Sequence, residues 1–121
     1  MLNGAAAREF YGRFQVPAVG EPYVSRMVSD DEARLVLAAA APLTGEAAAI
    51  ALEVSYETAK KVLERAFRRG VFDRREEAGR FVYEAGTFYD RLDAFATFEE
   101  EWYDLPPVAR QALDEWMLGQ Y

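Results

Sequence analysis

The sequence predicts a mainly α fold with a small β-hairpin, in the element order of a winged helix (helix-turn-helix) with C-terminal helices, and three observations carry that expectation. Three helix-forming segments follow one another between residues 29 and 70, each opened by a Ser or Thr at a capping position. The apolar period then changes from helical to alternating after Gly70, and two more helix-period segments follow residue 87. The link Glu53-Val54-Ser55 between the second and third segments is as short as a helix-turn-helix requires.

Residues 4 to 14 can form a short helix with Phe10 and Phe14 at i, i+4, and Val16-Pro17-Ala18-Val19-Gly20-Glu21-Pro22 ends it. Ser29 and Glu32 have capping-box spacing, and Ala33, Val36, Leu37 and Ala40 repeat at i, i+3, i+4, i+7, so a first core helix is expected to run to near Pro42. Thr44 can cap an alanine-rich second helix over residues 45 to 52. Ser55 caps a third, with the stripe Ala59, Val62, Leu63, Ala66 and Phe67 and with Gly70 at its C-terminal end.

Residues 71 to 75 and 80 to 84 read as two strands joined by the polar turn Glu76-Glu77-Ala78-Gly79. Thr87 and Asp90 repeat the cap spacing and open a fourth helix bearing Phe88, Leu92, Phe95 and Trp102. Pro106-Pro107 start a fifth, with the stripe Ala109, Ala112, Leu113, Trp116 and Met117. The expected organisation is a lead-in over residues 1–28, a winged-helix core over 29–86 and C-terminal helices over 87–121, all in one domain. A chain of 121 residues, 51% of them hydrophobic, suits a single packed core.

Composition excludes more than it selects. Cysteine and histidine are absent, which removes disulfides, thiolate metal sites, thiol nucleophiles and imidazole bases from this chain. Neither a catalytic nor a metal-binding residue is expected, and no cofactor; carboxylate-only chemistry is the weakest reading. The run Glu99-Glu100-Glu101 reads as a solvated helix face, because consecutive helical residues point in different directions. Phe88, Tyr89, Phe95, Phe98, Trp102, Tyr103, Trp116 and Tyr121 read as core or dimer contacts, with a homodimer through the C-terminal helices as one expectation. No apolar run reaches membrane length and the first residues lack a signal-peptide pattern, so the expected location is cytoplasmic.

The net charge of −7 opposes nucleic-acid binding, yet the positive charge is segregated. Residues 55–80 carry eight basic and five acidic side chains, whereas residues 81–121 carry two basic and nine acidic. As a DNA-reading surface, the third helix would use Ser55, Tyr56, Thr58, Lys60, Lys61 and Arg65, and the hairpin would add Arg74, Arg75 and Arg80 as a wing. The competing reading is a solvated face, since Glu57 with Lys61 and Glu64 with Arg68 have the i, i+4 spacing that stabilises a helix without any ligand. A continuous positive face would favour DNA; a basic face interrupted by Glu57, Glu64, Glu76 and Glu77, or an exposed aromatic patch, would favour a protein partner.

Several segments resemble a known family. Residues 22 to 35 (PYVSRMVSDDEARL), 62 to 72 (VLERAFRRGVF), 86 to 95 (GTFYDRLDAF) and 112 to 116 (ALDEW) are similar to the N-terminal winged-helix module of ferredoxin-type [4Fe-4S] iron-sulfur proteins of anaerobic bacteria. The resemblance implies a non-catalytic binding module acting by macromolecular contact; the alternative is a DNA-binding transcriptional regulator. In that family a cysteine-rich cluster region follows the module, whereas this sequence has no cysteine, so no cluster ligand carries over. What the resemblance then implies is either a truncated relative or a free-standing module working beside an iron-sulfur protein partner.

Overall fold

The computed structural model describes residues 2–120. Its elements run in the order α1 (Gly4–Phe14), a 3₁₀ turn (Val24–Arg26), α2 (Asp30–Ala38), α3 (Gly45–Leu52), α4 (Tyr56–Arg68), β1 (Phe72–Glu77), β2 (Arg80–Ala85), α5 (Phe88–Phe98), a second 3₁₀ turn (Glu100–Asp104) and α6 (Pro107–Leu118). The chain is mainly helical with one two-stranded antiparallel sheet.

Local chemistry explains where the helices begin. Side-chain oxygens of Asn3, Ser29, Thr44, Ser55 and Thr87 each accept a backbone N–H from the first turn of the helix that follows. Each such cap stabilises its helix by about 1 kcal/mol. At Ser29 the reciprocal arm is also formed, with the Glu32 carboxylate accepting the Ser29 N–H at 2.9 Å. α4 closes on Gly70 (φ 78°), whose N–H donates to Phe67 O while Val71 N–H donates to Ala66 O. Gly70 also lies against the α5 backbone, where a Cβ would stand 3.3 Å from Asp90 O. Left-handed geometry and this close approach both select glycine.

α2, α3 and α4 pack around Leu35, Val36, Ala48, Leu52, Ala59, Leu63 and Ala66, all buried. The small side chains of α3 let its neighbours approach closely. α1 contributes the stacked pair Phe10 and Phe14, 5.4 Å apart and both buried. The C-terminal half covers the other side of the core with Phe88, Leu92, Phe95, Leu105, Ala109 and Leu113.

The observed elements depart from the sequence expectation in three places. α2 stops at Ala38, so Ala40 is exposed and Leu35 takes its place in the core. The residue before Pro42 is disfavoured in helical geometry, and the chain leaves extended: Leu43 makes a two-bond antiparallel rung with Tyr83, N–H to O at 2.7 and 2.9 Å. The hairpin turn is shorter than the four residues expected. β1 pairs β2 out to Glu77 and Arg80, which leaves only Ala78 (φ 53°) and Gly79 (φ 78°), both left-handed as a tight two-residue hairpin loop demands.

The third departure is at the end of α5. Trp102 is not on that helix; Glu99 turns to extended geometry and Trp102 folds back in the second 3₁₀ turn, edge-on to Phe95 at 6.3 Å. Glu99 is therefore not on a solvated helix face either. Phe88, Phe95 and Trp102 are core residues, whereas Phe98 and Tyr103 are 83% and 70% exposed. Tyr121 lies outside the described residues.

The reason for the turn at Glu99 is electrostatic. Arg91 is completely buried, and its guanidinium donates to Met27 O (2.6 Å), Arg69 O (2.9 Å) and both carboxylate oxygens of Glu99. Arg69 in turn donates to Glu32 Oε2 (2.9 Å) and Met27 O (2.7 Å) and stands 3.6 Å from Glu99. Two arginines and two glutamates thus neutralise one another where α2, α4 and α5 meet. A buried ion is tolerated only when paired and hydrogen-bonded in this way.

Candidate functional site

α4 is amphipathic, with Ala59, Leu63 and Ala66 inward and Glu57, Lys60, Lys61, Glu64, Arg65 and Arg68 lining a shallow outer depression. A deeper cleft adjoins it, bounded by Gly45 and Tyr56 on one side and Gly79, Arg80, Phe81 and Tyr83 of the hairpin on the other. Lys60 and Glu64 line both depressions, so the two form one continuous strip.

The nine residues expected to touch DNA are not deployed alike. Ser55 and Thr58 spend their hydroxyls on each other: Ser55 Oγ accepts the Thr58 N–H at 3.1 Å and donates to Thr58 Oγ1 at 2.9 Å. Tyr56 packs against Gly45, where a Cβ would come within 2.6 Å of its ring, and the Lys60 ammonium lies 4.7 Å from the centre of that ring. Lys60 is also 3.9 Å from Glu57. Lys61 and Arg65 are exposed one helical turn apart, and among the described residues neither forms an ion pair within bonding distance.

All three hairpin arginines are engaged by carboxylates. Strand alternation separates Arg74 and Arg75 onto opposite faces. Arg74 points inward, 2.6 Å from Glu64, with its guanidinium between the rings of Phe67 and Phe81 at 4.2 Å from each centroid. Arg75 binds Glu84 and Glu77 on the outer face, and Arg80 binds Glu46 at the start of α3. Ion pairing raises the Arg75 and Arg80 guanidinium pKa values. The Glu46 carboxyl is lowered by a backbone hydrogen bond at the helix start and then by Arg80. Burial pushes the Tyr83 phenol up.

The charge balance follows from these pairs. Residues 72–85 carry Arg74, Arg75 and Arg80 against Asp73, Glu76, Glu77 and Glu84, a net −1. The positive field therefore lies on α4, at Lys60, Lys61 and Arg65 and at Arg68, which shares Glu64 with Arg74. Beside them the strip exposes aromatic surface, with Tyr56 41% and Phe81 51% accessible.

Sequence reasoning missed Phe81 and Tyr83 as cleft walls and Glu46, Glu64 and Glu84 as the acids that bind the hairpin arginines. Glu84 had a readable signal, being diagonal to Arg75 across the hairpin. The Glu46 to Arg80 pair spans 34 residues and had none.

Among the described residues, no group of three or more acidic side chains is placed to hold a metal ion, and no helix is long and apolar enough to cross a membrane. Comparison with protein-family models, with characterised proteins and with solved structures gave no match.

Proposed function

We propose that this chain is a non-catalytic winged-helix module that binds a protein through the strip formed by α4 and the hairpin. The element order supports the winged-helix reading: three helices, a single strand rung at Leu43 between the first two of them, and a hairpin after the third. The observation that carries the choice of partner is the pairing of Arg74, Arg75 and Arg80 with Glu64, Glu84 and Glu46. A wing whose outer face bears Asp73 and Glu77 beside Arg75, with Glu76 also exposed, repels phosphates, while exposed aromatics beside cations are typical of protein contacts. The resemblance to modules of ferredoxin-type proteins supports the same reading, with an iron-sulfur protein as the partner class it implies.

DNA binding by a transcriptional regulator is the second reading, and it rests on Lys60, Lys61 and Arg65. Titration of the protein into labelled random duplex at several salt concentrations separates the two, alongside a Lys60→Ala/Lys61→Ala/Arg65→Ala variant. Three phosphate contacts would give a log-log salt slope of about −2.7, and all six cations about −5.4. The protein-binding reading expects no micromolar duplex affinity near physiological salt. Micromolar binding with a steep slope that flattens in the variant would overturn it.

A further inference from the structure

The α4 strip has a counterpart on the same chain. Residues 98–104 form a ridge that exposes Phe98 and Tyr103 together with Glu100, Glu101 and Asp104. Trp102, buried against Phe95, holds the ridge in shape, and Arg26 donates to Asp104 O at 3.5 Å. Glu99 is consumed by Arg91 and Arg69. Among the described residues, no ion pair engages the carboxylates of Glu100, Glu101 or Asp104, and none links them to Lys60, Lys61 or Arg65 of the same copy.

We propose that the α4 strip docks a second copy of this chain, with Lys60, Lys61 and Arg65 of one copy facing Glu100, Glu101 and Asp104 of the other. This gives the strip an occupant other than the iron-sulfur protein that the resemblance implies, and it rests on the protein-binding reading above. Three cations beside Tyr56 and Phe81 meet three anions beside Phe98 and Tyr103. The facing charges are complementary in sign, and each side carries the exposed aromatic surface that protein interfaces bury. Both sides are preformed, one on a capped helix and the other on a turn anchored by a buried tryptophan, so little ordering entropy opposes docking. The contact is between different surfaces; it closes as a dimer if made twice about a two-fold axis and extends if made once.

Sedimentation velocity of the full chain at low and high salt tests this, with Lys61→Glu/Arg65→Glu as a strip-reversed variant and Glu100→Lys/Glu101→Lys as a ridge-reversed variant. All four side chains are exposed, and circular dichroism checks that both variants fold. The expected result is concentration-dependent association of the wild type that weakens with salt, and association about tenfold or more weaker in either variant alone. An equimolar mixture of the two variants should then restore a heterodimer, because each supplies the surface that the other lacks. A wild type that stays monomeric at low salt overturns the proposal, as does a mixture that stays monomeric or variants that associate like wild type. These failures leave the protein-binding reading standing, since that reading fails separately, through tight salt-dependent duplex binding.

Discussion

Arg91 and Glu99 form a two-pronged ion pair in which the arginine is fully buried and the glutamate is about a quarter exposed. The pair closes the C-terminal helices onto the rest of the fold, because the same guanidinium binds the carbonyls of Met27 before α2 and Arg69 after α4. Arg91→Ala is expected to destabilise the protein by about 3–5 kcal/mol, the cost of removing one partner of a buried pair. Urea denaturation checks this as a lower midpoint. The double variant Arg91→Met/Glu99→Leu should remain destabilised by about 1–3 kcal/mol, because the Arg69 carbonyl loses its donor whether or not the charges are balanced.

The same pair makes stability depend on pH. The hydrogen bond from Arg91 holds the Glu99 carboxyl below its ordinary value, and the charges of Arg91, Arg69 and Arg65 add to that effect. A carboxyl whose folded pKa is depressed stabilises the fold above its unfolded pKa of about 4.3, and the contribution is lost as pH falls through the folded pKa. Glu99→Gln should therefore be less stable than wild type at neutral pH, with the gap narrowing steadily below about pH 4. Thermal melts of both proteins across that range read the effect, and a gap constant with pH would contradict it.

Two glycines separate core packing from cleft shape. A Cβ on Gly20 would stand 2.6 Å from the ring of Phe88, which is fully buried, so Gly20→Ala is expected to cost about 1–3 kcal/mol through overpacking. A Cβ on Gly45 meets the Tyr56 ring at the same distance, but Tyr56 is 41% exposed and can swing outward. Gly45→Ala should alter tyrosine fluorescence and the cleft while shifting the denaturation midpoint less than Gly20→Ala. Equal losses of stability would show that Tyr56 is held as rigidly as Phe88.

What the sequence revealed and what it hid follow from the range of the interactions. The caps at Ser29, Thr44, Ser55 and Thr87, the α4 stripe and the stop at Gly70 are local, within one or two turns of the chain, and were readable. The bend after Phe98 was not, because its cause is the Arg91 guanidinium, whose other ligands lie 22 and 64 residues away. The Leu43 rung was hidden for a similar reason: a one-residue strand leaves no alternating pattern. At the candidate site, the cations were visible and their neutralisation was not. Arg74 and Arg75 looked equivalent as basic residues, yet adjacent positions on a strand face opposite ways, and Glu46 and Glu64 reach the hairpin only through tertiary packing.

The central claim is that carboxylates hold the hairpin arginines away from an external anion. The most direct measurement is duplex binding by a Glu46→Gln/Glu64→Gln/Glu84→Gln variant beside the wild type, by anisotropy at low and moderate salt. Losing Glu46 and Glu64 frees Arg80 and Arg74, while Arg75 loses Glu84 and keeps Glu77, so the expected result is a gain of duplex affinity over the wild type. The salt slope should also steepen by about 0.9 for each arginine that then reaches a phosphate. A wild type that already binds duplex tightly, with affinity and slope unchanged in the variant, would contradict the account.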